Sequence, residues 1–320
     1  MHNRLPQPTD REILAARSAK QVVDPRRPQA FLVEQECAAN GEVIDVAALF
    51  LTNRECPFRC LMCDLWKHTT DQPVLPGDIP EQIDHGLSRL PPARQIKLYN
   101  SGNFFDARAI PPADLPIIAE RVRGFENVIV ENHPRLCTAA VPRFQHLLEE
   151  TLLEMALGLE TIHPEILPRL NKQMTLDDFA RAVEFLLDLG IAVRCFVLLK
   201  PPFLNEEAGI DWALRSVDHA FALGVGCCSV IPTRGGNGIL ERLQAEQAFA
   251  PPRLSSLELV QEQGLRRKPP QGRLFVDLWD IERFATCSLC LGPRRERMHR
   301  MNLSQEVLPL VPCVCREASA

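Results

Sequence analysis

Three cysteines, Cys56, Cys60 and Cys63, stand at the spacing C-x3-C-x2-C in the stretch Cys56-Pro57-Phe58-Arg59-Cys60-Leu61-Met62-Cys63. They follow directly on the apolar run Val46-Ala47-Ala48-Leu49-Phe50-Leu51. A short loop of thiolates at the end of a strand is a way to hold an iron–sulfur cluster at the rim of a sheet. Three ligands instead of four leave one iron of a [4Fe–4S] cluster open to a substrate or cofactor. The alternative is a zinc knuckle, which wants a fourth Cys or His close by, and His68 is the candidate. A second group, Cys287, Cys290, Cys313 and Cys315, forms two close pairs separated by 22 residues. Four thiolates in two chelating turns suit a structural zinc or an auxiliary iron–sulfur cluster. The basic run 294–300 lies between the pairs and reads either as a metal-held loop for phosphates or as a solvated face. Cys37, Cys137, Cys195, Cys227 and Cys228 lack ligand spacing and read as ordinary thiols.

The composition fits these sites. At 320 residues, 46% hydrophobic and 24% charged, the chain can bury a large core. A net charge of −5 gives no global pull toward nucleic acid. No apolar run is long enough to span a bilayer, so no membrane partner is expected and the expected location is cytoplasmic. In a reducing compartment twelve cysteines are metal ligands or buried thiols before they are disulfides.

The elements that must position the cysteines follow from an alternation of apolar runs and amphipathic stretches. Strands are expected at 42–52, 94–99, 127–131, 153–160, 192–199 and 227–231, with helices between them and a further strand at 273–279. The clearest helix starts at Thr175, where Asp178 completes a capping-box pattern, and stops at Gly190. Six strand–helix units in order predict an α/β fold, a partial (β/α)6 barrel with right-handed crossovers. A small C-terminal cysteine-rich metal-binding extension follows. The expected division is 1–40 as an N-terminal extension, 41–240 as the barrel and 241–320 as the extension with the second cysteine group. Strand alternation puts Glu154, Ala156, Gly158 and Glu160 on the inner face, together with Arg194 and Lys200. Chemistry is expected at the strand ends, where the loops converge.

The cysteine loop, the barrel pattern and the strand-end motifs together resemble the radical SAM superfamily, over about residues 41–238. The resemblance implies that Cys56, Cys60 and Cys63 bind a [4Fe–4S] cluster whose open iron chelates S-adenosylmethionine (SAM), which is cleaved to a 5′-deoxyadenosyl radical. Met62 falls where the family packs a residue over the adenine. Asn100, Ser101 and Gly102 fall on the turn that receives the methionine amino group, matching the family's Gly-Gly-Glu pattern only at the glycine. Glu160 falls on the fourth-strand motif, with Leu170-Asn171-Lys172 in its loop, and implies a ribose or substrate contact. Glu131 and Arg194 complete the implied cofactor set; Glu131, His133, Arg59, Asp64, Trp66 and Lys67 line the mouth. No catalytic side chain is assigned. The phrases CPFRCLMCDLWKHTT, IKLYNSGNFFD, ETIHPEILPRLNKQMT and FVLLKPPFLNEEA look most like the archaeosine-synthase beta-subunit type, related to elongator-type and methylthiotransferase-type enzymes. That branch implies a 7-deazaguanine-type nucleoside in tRNA as target and a ferredoxin or flavodoxin as electron donor. A radical enzyme for a small molecule or peptide, and a zinc-binding interaction protein, are the alternatives.

Overall fold

The computed structural model describes residues 7–313 and 315. Eight strands form one sheet whose spatial order is their chain order. β1 (Ala30–Cys37) runs antiparallel to β2 (Val43–Leu51). From β2 onward every pairing is parallel, through β3 (Gln95–Asn100), β4 (Asn127–Asn132), β5 (Leu152–Glu160), β6 (Ala192–Leu199), β7 (Cys227–Pro232) and β8 (Arg273–Val276). Parallel neighbours need crossovers, and helices supply them. After the short N-terminal α1 (Asp10–Ala15), these are α2 (Asp78–Leu87), α3 (Leu115–Val122), α4 (Ala140–Leu147), α5 (Ile166–Arg169), α6 (Leu176–Asp188), α7 (Glu206–Ala222), α8 (Ile239–Ala245) and α9 (Leu254–Arg267). The last, α10 (Ser288–Ser304), follows β8.

Period-2 alternation sorts each strand into two faces. Leu49, Leu51, Ile96, Leu98, Val128, Val130, Met155, Leu157, Val193 and Val197 point outward into one apolar core with residues of the crossover helices. The predicted start of α6 is present: Thr175 Oγ1 accepts from the Asp178 amide at 3.1 Å, and Asp178 Oδ2 accepts from the Thr175 amide at 2.9 Å. A cap of this kind contributes about 1 kcal/mol.

The six expected strands are all present, and the sheet gains one strand at each edge. β8 was expected, though it ends at Val276. β1 was not: its segment reads as polar because Glu34, Gln35 and Glu36 interrupt the apolar pattern. Glu36 is nevertheless buried, because its charge is paired inside the sheet. The partial-barrel expectation therefore holds with eight strands in the sheet, β1 lying before residue 41 and β8 after residue 240.

Candidate functional site

At the N-terminal end of the parallel strands the inner face carries a buried ionic layer. Arg194 Nη2 lies 2.8 Å from Glu36 Oε1, and Arg194 Nε lies 3.0 Å from Glu154 Oε1. Lys97 binds Glu34 and Glu36, Arg273 reaches Glu154 at 3.4 Å, and Asn127 donates to Glu154 at 3.1 Å. Above this layer sit aromatic rings: Tyr99 packs edge-on against Phe50 and Phe196, each at 6.2 Å between centroids. Arg194 does face inward, as alternation predicts. Its expected role at the cofactor is corrected, however: it is the third residue of β6, at the opposite end from the cysteine loop, and its guanidinium is consumed by two carboxylates.

The cysteine loop leaves the C-terminal end of β2 and is held from several sides. The Leu61 amide donates to Leu170 O at 2.8 Å, and Asn171 Nδ2 donates to Arg59 O at 2.8 Å. Asn237 Nδ2 donates to Leu61 O at 2.8 Å and to Cys63 O at 3.3 Å. Glu55 anchors the loop's start through Arg17 at 2.7 Å, Lys20 at 2.8 Å and Arg59 at 3.1 Å. Leu61 is the loop's apolar plug, sharing a cluster with Ile13 of α1, Ile166, Leu170, Ile239 and Leu240; Met62 packs on that cluster. The three thiols are half-buried, and Cys56 Sγ accepts from Asn103 Nδ2 at 3.1 Å. Burial pushes Cys60 up to about 12 and raises Cys56 and Cys63, with Lys172 opposing the rise at Cys56 and Cys60.

The polar mouth faces this loop. Asn100, Ser101 and Gly102 form the turn after β3, with Asn100 buried and the other two half-buried. The Asn100 amide donates to Glu131 Oε1 at 2.7 Å, while both polar atoms of its side chain are buried without a partner. Asn53 Oδ1 is orphaned in the same way. A Cβ on Gly102 would lie 3.4 Å from Asn53 Nδ2 and 3.7 Å from Cys56 Cβ, filling the space beside the thiol. Buried polar groups usually find partners, and a polar ligand beside the cysteine loop would satisfy these three atoms. Three thiols and the unpartnered polar atoms of Asn100 and Asn53 beside them fit a [4Fe–4S] cluster and a chelating amino acid.

Glu160, at φ 66°, ends β5 in the left-handed region, and Lys172 Nζ lies 2.5 Å from its Oε1, both side chains buried. Gly158 makes room for that pair: a Cβ there would come within 2.2 Å of Glu160 Oε1 and 2.3 Å of Lys172 Nζ. Gly158→Ala should therefore cost about 1–3 kcal/mol as overpacking, read from the shift in urea midpoint. His133 stacks on Phe58 with centroids 3.8 Å apart and contacts Lys172 O through Nε2 at 2.9 Å. Burial, then the charge of Lys172, pushes its pKa down to about 3, so it is neutral.

Glu131 is half-buried, and burial pushes its carboxyl up to about 8 against the Asn100 amide and Lys172. A raised acid favours the folded state while protonated. Its contribution is therefore fully favourable below the usual 4.5, falls as pH rises, and levels off above about 8. Glu131→Gln should flatten the decline in unfolding free energy between about pH 5 and pH 8, measured by urea titration at several pH values.

Asn53, Asn103, Phe58, Lys172 and Asn237 are partners of the site that the spacing of the cysteines does not reveal. Asn103 and Lys172 lie in motifs visible in the chain; Asn237 reaches the loop from 174 residues away, without a local signal.

The C-terminal cysteines do converge. Cys287 caps the start of α10, and its Sγ lies 3.8 Å from that of Cys313; Cys290 and Cys315 sulfurs are 3.6 Å apart. Among the described residues this quartet is the one group of Cys, His, Asp or Glu ligand atoms closing to within 4.8 Å. The basic run between the pairs is helix, not loop: Arg294 and Arg297 are buried against Glu258 and Glu262, leaving Arg295 and Arg300 exposed. Among the described residues no helix is long and apolar enough to cross a membrane.

Comparison with known proteins agrees with this geometry. The model of the Radical SAM superfamily matches residues 51–213, half of the chain. An uncharacterised protein of Methanocaldococcus jannaschii is 22% identical over 93% of this chain and 87% of its own length. An archaeosine synthase subunit beta of Methanosarcina acetivorans is 26% identical over 81% of this chain and 78% of its own. Among solved structures, methylornithine synthase shares the fold, with a TM-score of 0.52 and 13% identity over 84% of this chain and 75% of that one. The cysteine loop at the end of β2, the parallel half-barrel behind it and the match across both place this chain in the radical SAM superfamily of iron–sulfur enzymes.

Proposed function

We propose that this chain is a radical SAM enzyme acting on a 7-deazaguanine-type nucleoside in tRNA. The observation that carries the chemistry is the trio Cys56, Cys60 and Cys63 beside the unpartnered side-chain amide of Asn100 and Oδ1 of Asn53. When bound, a [4Fe–4S] cluster with SAM on its open iron supplies one-electron cleavage to a 5′-deoxyadenosyl radical, which abstracts hydrogen from the substrate. The chain's own part is placement. Cys56, Cys60 and Cys63 hold the cluster, and Asn103 orients the Cys56 sulfur. Asn100, Ser101 and Gly102 receive the amino acid end of SAM, Met62 packs against its adenine, and Glu131 and Glu160 bind from the strand ends. Lys172 holds Glu160 in place through the ion pair at 2.5 Å. Residues 41–240 carry this chemistry, with 1–40 and 241–320 flanking it.

The substrate rests on likeness to the archaeosine synthase beta subunit. Cations near the loops around the mouth suit a polyanion: Arg135 is exposed, and the Arg169 guanidinium lies 3.5 Å over the Phe203 ring. Ferredoxin or flavodoxin is the class of electron donor required. After anaerobic reconstitution, dithionite and SAM should give 5′-deoxyadenosine, and the chain should bind tRNA with an affinity that falls steeply with salt. Formation of 5′-deoxyadenosine with no tRNA affinity at low salt would remove the tRNA substrate and leave a small-molecule or peptide one.

A further inference from the structure

We propose that Cys287, Cys290, Cys313 and Cys315 bind a single zinc ion, not a second iron–sulfur cluster. Size separates the two. A tetrahedral ion with metal–sulfur bonds of about 2.3 Å sets its sulfurs about 3.8 Å apart. The Cys287–Cys313 and Cys290–Cys315 sulfurs stand at 3.8 Å and 3.6 Å, and all four lie within 4.8 Å of one another. In a cubane each thiolate binds a different iron, so the four sulfurs surround a cage and stand farther apart. A two-iron cluster separates its ligand pairs in the same way, across bridging sulfides. This quartet has room for one ion at its centre. Four thiolates in a closed tetrahedral set select zinc, which needs no open position for a structural role.

The surroundings show what the ion secures. α10 starts at the first pair; Gln305, at φ 56°, turns the chain at its end, and the following segment runs back along the helix. Arg297 fixes that segment by donating to Leu308 O at 3.1 Å and Pro309 O at 2.7 Å. The ion closes the return by joining the tail's Cys313 and Cys315 to the helix start. A zinc with four thiolates is an anionic centre, and a cation stands beside it: Arg294 donates to Cys290 Sγ at 4.0 Å while held by Glu258 of α9 at 2.5 Å. The metal site is thereby tied to a crossover helix of the sheet, and the two buried arginines are structural.

A variant lacking the signature thiols, C56A/C60A/C63A, isolates this site from the other. Purified anaerobically, it should carry one zinc per chain and no iron by mass-spectrometric metal analysis. Cobalt(II) exchanged into it should show the strong visible ligand-field bands of a tetrahedral tetrathiolate. Adding Cys287→Ser should abolish the bound zinc; if that chain is insoluble, the cobalt spectrum of the first variant decides alone. Iron with sulfide in C56A/C60A/C63A, or neither metal, would overturn the zinc assignment. Either result leaves the signature-site reading intact, because those cysteines are absent from the variant.

Discussion

Cys60→Ala, reconstituted anaerobically with iron and sulfide, should form no 5′-deoxyadenosine above the background of a protein-free control. The middle cysteine of the trio is the hardest to replace. Its neighbours on the loop are pinned by Leu170, Asn171 and Asn237, so no other thiol can move into its place without breaking those hydrogen bonds. With only Cys56 and Cys63 left, two irons lack protein ligands instead of one, and the cluster is lost or unstable. The variant should therefore lose most of the broad absorbance of the cluster along with SAM cleavage, while its thermal unfolding, governed by the outer apolar core, stays close to that of the parent. Undiminished 5′-deoxyadenosine from Cys60→Ala would sink the assignment of this loop. Full cluster content in wild type without SAM cleavage would sink the reaction.

Replacing Arg194 should do the opposite: a large loss of stability with the chemistry intact. Arg194→Met leaves Glu36 and Glu154 buried with fewer partners, and breaking such a set from one side costs about 3–5 kcal/mol. Burial alone would raise both carboxyls, but Arg194, with Lys97 for Glu36 and Arg273 for Glu154, holds them below the usual 4.5. A depressed acid stabilises the fold above its unfolded pKa. This contribution is thus fully present above about pH 4.5 and decays as the pH falls. The wild-type chain should lose stability on acidification more steeply than Arg194→Met. Urea titrations at neutral and acidic pH measure both effects. Should Arg194→Met keep its stability and instead lose SAM affinity, Arg194 would return to the cofactor site.

These two residues also show how far sequence carries. The cysteine trio is a local feature, closed within eight residues, so its chemistry is legible without knowing the fold. Strand alternation placed Arg194, Glu154, Gly158 and Glu160 on the inner face, because a period of two depends only on the backbone pleat. It fails at Lys200, whose left-handed backbone at φ 52° after β6 turns the side chain onto Glu206 and Gly209 of α7 instead. Alternation assigns a side, not a depth. Arg194 and Glu160 share the inner face, yet one lies in an ionic layer at the N-terminal end of the strands and the other at the mouth.

The primary structure by itself determined the three-thiolate loop, the order of the parallel strands, the capped helix at Thr175 and the pairing potential of the last four cysteines. Each is written in spacing over a few residues. Tertiary structure alone decided the rest. It buried Glu36 against Arg194 and so made a strand of a polar segment. It converted the basic run near the C-terminus into a helix whose arginines hold Glu258 and Glu262. It also brought Asn53, Asn103, Lys172 and Asn237 around the signature loop. Long-range ion pairs and hydrogen bonds pay the desolvation cost of polar residues, and no local pattern can show which polar residues will find such partners.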